Sequence, residues 1–385
     1  MPEFLELLET VQAEQADTRK LFGDAGQAVR GRGGNYPQKL SEAARLIADV
    51  YTGRKPTYIL REAMTTSDFP LLFGDILDRQ LLANYREWPQ VWSAYCRRAT
   101  VSDFRSVKRF AMSGAEAVLE GVDEQAEYPM SSMGETRYTY AVHKYGRRVP
   151  FSWETLINDD LGAFQDVPAR LARAARRSEE KFATQLHVDA NGPHASVYTG
   201  GNGNIVTGNP ALSIAGLQTA MTVLSAMRDS DGEPVMIDAV VLEVPPALEI
   251  TAQNILNAIT ISVEVNAAPG TAQQNIVAQN WMRGRVSLIV NPYIPIVASV
   301  ADGNTCWFLH AAPNSGRPAF EMGFLRGHTE PEIFMKSPNA TRVGGGMNPT
   351  DGDFDTDSVE YKVRHVFGGV AIDPKMTVAS EGDNT

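Results

Sequence analysis

Cysteine is nearly absent from this chain. Cys96 and Cys306 stand far apart and no CxxC pair occurs, so neither a disulfide framework nor a thiolate zinc site is expected, and the reducing cytoplasm is the natural place of synthesis. Long apolar runs are missing too. The most apolar stretch, Val286 to Ala301, is interrupted by Asn291, Pro292 and Pro295. It falls short of the roughly 20 residues of a membrane span and reads as two short buried strands. The amino terminus, MPEFLELLETVQAEQ, is acidic and amphipathic where a signal peptide needs positive charge followed by apolar residues, so no export is expected. Basic runs with interleaved aromatics are also lacking. With 46 acidic against 35 basic residues and a formal charge of -11, a protein that wraps nucleic acid over its whole surface is excluded, and any DNA contact should be local.

The marks of enzymes are equally scarce. There is no GxSxG elbow and no GxxxxGK phosphate loop, and the run at Gly201 does not complete GxGxxG. Serine, histidine and aspartate are dispersed without a local signature. A hydrolase with dispersed catalytic residues and a nucleic-acid-binding protein are the competing readings, and nothing local favours either. His143, His187, His194, His310, His328 and His365 show no HExxH or paired spacing and read as packing or surface residues. The loop DGDFDTD at 351–357 imitates a calcium loop, but Thr356 stands where its glycine belongs and Lys362 where its glutamate belongs. No metal, cofactor or catalytic residue is expected.

What is present is ordinary globular material: 43% hydrophobic and 21% charged residues, enough for two or three lobes. Helical spacing occurs over 2–22 and, behind a Ser41 cap, over 41–51, with GRGG at 31–34 between them. A richer apolar stretch runs from Thr65 to Tyr85. From Val101 the period changes to two: VSDFRSVKRFAM leads into an acidic stretch and ETRYTYAVHKYGRRVPFSW leads out, which predicts a long hairpin. Its tip, about Leu119 to Glu135, has no lysine or arginine and little apolar surface to hold it down, so it should project. The clearest helix is predicted over Asp166–Asp189, with Pro168 in its first turn and Asn191-Gly192-Pro193 as the stop. Leu171, Ala174, Ser178, Phe182 and Leu186 form its apolar face, and Arg170, Arg173, Arg177 and Lys181 a basic one. A Gly/Asn loop follows at 198–210. Ser213 then caps a helix to Met227, a strand spans Ala239–Val244, PPALEITAQNIL starts a helix, and strands lie near 285–290 and 305–310. This is an α+β lobe. Strands return at Phe320–Leu325, Glu332–Met335 and Ser358–Ile372, and no tandem repeat is present.

This order of parts resembles the major capsid proteins of tailed bacteriophages. TSDFPLLFGDILDRQLLANY (66–85), VSDFRSVKRF (101–110), EQAEYP (124–129) and GRRVPFSWETLINDDLGAF (146–164) are similar to successive segments of Mu-like head subunits. VLEVPPALEITAQNIL, VNPYI, CWFLHA and FEMGFLRGHTEPEI continue the series to about Asp373. The resemblance implies an α+β chain of the Hong Kong 97-like phage capsid fold. Its parts are an N-terminal arm (1–100), an extended-loop hairpin (101–150), a peripheral domain with a long spine helix (151–212), an axial domain (213–317), peripheral return strands (318–375) and a C-terminal tail (376–385).

The function implied is that of a structural, non-catalytic head protein of the virion, synthesised in the host cytoplasm. It self-assembles into pentamers and hexamers of an icosahedral shell around double-stranded DNA. Its partners would be further copies of itself, a portal, possible decoration proteins and a scaffold, with no membrane. The 65 residues before the matched region are too few for a maturation protease. The scaffold should therefore be a separate protein, and no amino-terminal segment is expected to be removed. Glu120, Asp123, Glu124 and Glu127 of the hairpin tip are expected to dock on Arg170, Arg173, Arg177 and Lys181 of a neighbour, opposite charge fixing the register. Contact of the same basic face with DNA phosphates is the lesser alternative. Some members of the fold crosslink a hairpin lysine to a neighbour's asparagine. Here Lys108 and Lys144 sit on the stems, so a non-covalent shell is expected.

Overall fold

A computed structural model describes residues 81–87, 89–113, 134–152, 161–229, 232–235, 239–265, 274–314, 317–336 and 356–382 continuously, with isolated positions besides. The helix expected over 2–22, most of that over 41–51, all of 65–80, most of the hairpin tip and most of the acidic loop at 343–357 lie outside the described residues. The chain divides into two compact units. The smaller comprises 1–87, 146–173 and 331–364, and the larger 88–145, 174–330 and 365–385.

The first strands are β1 (Cys96–Val101), β2 (Val107–Ser113), β3 (Gly134–Tyr140) and β4 (His143–Ser152), followed by helix α1 (Leu161–Gln185). Next come the short strands β5 (Val188–Asp189) and β6 (Gly192–Pro193), α2 (Ile214–Ser225), β7 (Val240–Val244), α3 (Glu249–Asn257), β8 (Thr260–Val265) and β9 (Gln274–Gln279). The chain ends with β10 (Val286–Val290), α4 (Ile294–Val297), β11 (Trp307–Ala311), β12 (Phe320–Leu325), β13 (Glu332–Met335), β14 (Ser358–Ala371) and β15 (Thr377–Ser380). Among the described residues no helix is long and apolar enough to cross a membrane.

In the larger unit the sheet β10-β7-β11-β15 is covered on both faces, which is why VVLEV and WFLHA are buried at every position. On one face Leu242, Trp307, Leu309 and Val378 pack on Leu217, Met221 and Leu224 of α2 and on Ala252, Ile255 and Leu256 of α3. Ser213 begins α2 as expected, its side chain accepting from the Gly216 amide. On the other face Phe308 and Ala379 join Trp92, Tyr95, Phe320, Phe324 and Phe367 in an aromatic core. Each such ring removed from water contributes on the order of 2–3 kcal/mol. The period-two alternation therefore assigns Val241, Glu243, Phe308, His310 and Thr377 to the aromatic side. That placement decides the chemistry described below.

β12 pairs parallel with β1 and antiparallel with β14, and Gly323 lies opposite Gly368. This pair of missing side chains makes room for two things. A Cβ on Gly323 would come within 2.6 Å of the Tyr140 ring, and one on Gly368 would strike the backbone at Ala141 and Val142. In the smaller unit β13 pairs with the 361–364 end of β14, Arg364 holds Glu332 at 2.5 Å, and Lys362 and Arg364 lie over the Phe334 ring.

The structure departs from the sequence expectations at several places. The stretch from Val286 to Ala301, expected as two short buried strands, is the single strand β10 followed by helix α4. Helix α1 begins at Leu161, so Pro168 lies about two turns inside it instead of in its first turn. It ends at Gln185, not Asp189, because the Leu186 and His187 amides close on Ala183 and Thr184. The Asn191-Gly192 stop instead closes the β5–β6 turn, Gly192 standing opposite Asp189 at φ +118°. The stretch after the hairpin tip is two strands: β3 pairs with β2, whereas β4 pairs with β14, with the break at Ala141–Val142. No glycine or proline marks that break. Finally, the expected C-terminal tail contains β15, buried at every position, paired with β11 and bridged to the 198–210 loop through Ala379 and Asn204. Thr377, Val378 and Ala379 are too well matched to the core to remain outside it.

Candidate functional site

Helix α1 exposes one basic stripe. Arg170, Arg177 and Lys181 are exposed, and half-buried Arg173 donates from Nε to the Ala169 carbonyl at 3.3 Å. Spacings of three, four and seven residues put these cations on one side of a helix. The opposite side is only partly the expected one: Leu171 is buried, and Phe182 and Leu186 pack against the aromatic core. Ser178 is exposed and donates to the Ala174 carbonyl, whereas Leu171, Ala172, Ala175, Arg176, Glu179, Glu180, Ala183 and Thr184 are buried. The buried face is turned by about one residue because it carries ion pairs that apolar periodicity does not register.

Those buried charges fix the helix. Glu180 accepts from the Val91 and Trp92 amides at 2.9 and 3.1 Å. Glu179 accepts from Trp92 Nε1 at 3.1 Å and Arg176 at 2.9 Å, and its other oxygen meets His365 Nε2 at 2.6 Å. Burial pushes the Glu180 carboxyl up to about 7, against the pull of the two amides that favour its ionised form. A carboxyl raised in the folded state contributes stability that is full below its ordinary value of 4.5 and is lost as pH rises through about 7. Urea titrations should therefore show a Glu180 contribution to the unfolding free energy that falls between about pH 5 and 8, opposed at the acid end by His310, which burial lowers. In Glu180→Gln that fall should be smaller, and an identical slope would remove Glu180 as its source.

A second network centres on Glu243, fully buried on the aromatic side of β7. Its Oε1 accepts from Asn291 Nδ2 at 2.6 Å and its Oε2 from His310 Nε2 at 2.8 Å, while His187 Nε2 stands 3.1 Å from Oε2. Asn291 also donates to Thr184 of α1, and His310 Nδ1 meets Thr377 Oγ1, itself 2.8 Å from the Tyr198 hydroxyl. Burial alone would raise the Glu243 carboxyl, but His187 and His310 hold it well below the usual range, and burial lowers His310. Tyr95, Tyr198 and Cys96 are pushed well up by burial and stay neutral. Cys96 and Cys306 are both free and buried.

A third network anchors the hairpin base. Glu321 of β12, with no exposed side-chain surface, receives Arg97 of β1, Arg109 of β2 at 2.8 Å and the Tyr140 hydroxyl of β3 at 2.7 Å. Burial opposes the ionised carboxylate, but these three donors hold it below its ordinary range. Burial, then Glu321, pushes Tyr140 up to about 12. The β2–β3 hairpin thus leaves the core from a charged clamp.

Of the residues expected to make contacts, the structure places Arg170, Arg173, Arg177 and Lys181 together on α1. Glu120, Asp123, Glu124 and Glu127 lie outside the described residues. The residues that sequence reasoning missed are Arg176, Glu179, Glu180, Glu243 and Glu321. A usable signal existed for two of them, since VLEV and FEMGFL each carry one glutamate in an otherwise apolar strand.

Three buried charge networks, a pinned hairpin base and an outward basic stripe make up the candidate site. The family model described as Phage capsid protein matches residues 136–380, and the chain belongs to that family. It is accordingly a bacteriophage virion protein of structural, non-enzymatic type. Among solved structures, one from Microbacterium phage Oxtober96 is similar at 11% identity over 74% of this chain and 88% of that one, with a TM-score of 0.45. One from Gordonia phage Cozz is similar at 13% identity over 76% and 88%, with a TM-score of 0.45. A third, titled "Capsid of empty GTA particle computed with C5 symmetry", shares 12% identity over 76% and 90%, with a TM-score of 0.44. No curated protein matches the chain significantly.

Proposed function

We propose that this chain is the shell-forming major head subunit of a tailed phage, with the Hong Kong 97-like fold, closing as pentamers and hexamers around double-stranded DNA. The hairpin is its extended loop, α1 its spine helix, and the lobe from Ser213 to Arg317 its axial domain, to which β15 is added. The mechanism is geometric: one fold makes several similar contacts, and the arm and hairpin latch neighbours over more area than a compact protomer offers. The observation that carries the reading is the exposed basic stripe of α1 on a helix whose far side is locked by Glu179 and Glu180. A helix held this rigidly presents its cations at fixed spacing to the acidic tip of a neighbour. A separate scaffold, a portal and packaged DNA complete the set of partners.

Reversing charge in the double variant Arg173→Glu, Arg177→Glu is expected to cut shell yield at least tenfold. The subunit's melting temperature should stay within a few degrees of wild type, because neither side chain belongs to the buried networks. Normal-sized shells in normal yield would remove the docking role of the stripe.

A further inference from the structure

The Glu243 network gathers three buried titratable side chains and leaves one buried ring nitrogen unanswered. His187, which has no solvent exposure, meets only Glu243, its Nε2 lying 3.1 Å from Oε2, while its Nδ1 has no hydrogen-bond partner. The equally buried Tyr95 ring lies 5.1 Å from the rings of both His187 and His310. An unanswered buried polar group costs about 1–3 kcal/mol. A carboxylate taken wholly out of water costs more unless a cation accompanies it.

We propose that His187, Glu243 and His310 are the protein ligands of a buried divalent transition-metal ion, with Zn2+ the best fit to the donor set. One ligand atom from each residue lies within 4.8 Å of the others. Tetrahedral zinc, with bonds of about 2.0–2.1 Å, sets its donors about 3.3 Å apart. Glu243 Oε2 stands 3.1 and 2.8 Å from the two imidazole nitrogens, so small outward shifts of these side chains admit the ion. Two imidazoles with one carboxylate favour zinc over calcium or magnesium, which prefer oxygen donors throughout.

The surroundings are those of a supported site. His310 Nδ1 is oriented by Thr377 Oγ1, and Glu243 Oε1 by Asn291 Nδ2. The ion would engage His187 Nε2, neutralise the carboxylate and leave a fourth position that a water can fill. Because all three ligands are buried, the ion would enter during folding and stay as a structural clamp. It would tie the segment just beyond α1 to β7 and β11.

The test is elemental analysis of the full-length purified subunit, expressed with added zinc and desalted. About one zinc per chain is expected, retained in EDTA while folded, released on denaturation, and required on refolding to recover the original melting temperature. His310→Ala should lose the ion, and His194→Ala, altering a histidine outside the cluster, should keep it. If His310→Ala does not fold, X-ray absorption of the wild type decides, with two imidazoles, oxygen and no sulfur expected. Metal-free protein whose melting temperature ignores zinc would overturn the proposal and leave a hydrogen-bonded triad only. Zinc that EDTA strips from the folded chain, or that survives in a folded His310→Ala, would also overturn it, as a surface-bound ion only.

Discussion

Glu243→Leu is expected to destabilise the subunit by about 3–5 kcal/mol, the range for removing one partner from a buried charge network. Leucine nearly matches the volume, so the loss is not mainly a cavity. Asn291 Nδ2 loses the acceptor it reaches at 2.6 Å, and His310 Nε2 the one at 2.8 Å. These groups cannot turn to water, since His187, Asn291 and His310 have no solvent exposure. The effect spreads because Asn291 also holds Thr184 on α1, and His310 holds Thr377 on β15. Urea denaturation followed by tryptophan fluorescence reads the loss directly, since Trp92 and Trp307 lie in the two cores. A loss below about 1 kcal/mol would place the network among the dispensable polar clusters.

Gly368→Ala should be nearly as damaging, for a steric reason. The added methyl would strike the Ala141 carbonyl and stand 3.0 Å from Val142 Cα, and both are backbone atoms with no rotamer to escape into. Overpacking of this kind costs about 1–3 kcal/mol and sometimes more. What must move is the junction between β3 and β4, so the change should also misdirect the hairpin and lower shell yield beyond its effect on melting temperature. Gly200→Ala is the control: nothing lies within 4 Å of its added methyl, and it should shift stability by less than about 0.5 kcal/mol. Equal behaviour of the two variants would contradict the tight fit at Gly368.

Where the determinants are local, the sequence was readable. Ser213 before an apolar periodic run, Pro245-Pro246 before α3, and the alternation in β14 are signals within one turn or one strand, and each is realised. The basic stripe was readable for the same reason. What stayed hidden depends on partners distant in the chain. Glu180 looks like a solvated charge in a charged helix until the Val91 and Trp92 amides are placed on it. Glu243 and Glu321 announce themselves as lone acids in apolar strands, but their partners at His310, Asn291, Arg97 and Arg109 lie in other elements. The apolar face assigned to α1 was displaced by the same effect, because Arg176, Glu179 and Glu180 occupy buried positions. The C-terminal strand was missed for want of a long run: four residues carry it, and their pairing with β11 makes them core.

If this subunit builds a closed shell, as proposed, particle mass shows it most directly. The purified chain, alone and co-expressed with the separate scaffold protein proposed for it, should be sedimented and imaged in negative stain. Closed shells, or capsomers that convert to shells when scaffold is present, are the predicted result. A chain that stays monomeric or dimeric under both conditions would contradict the account.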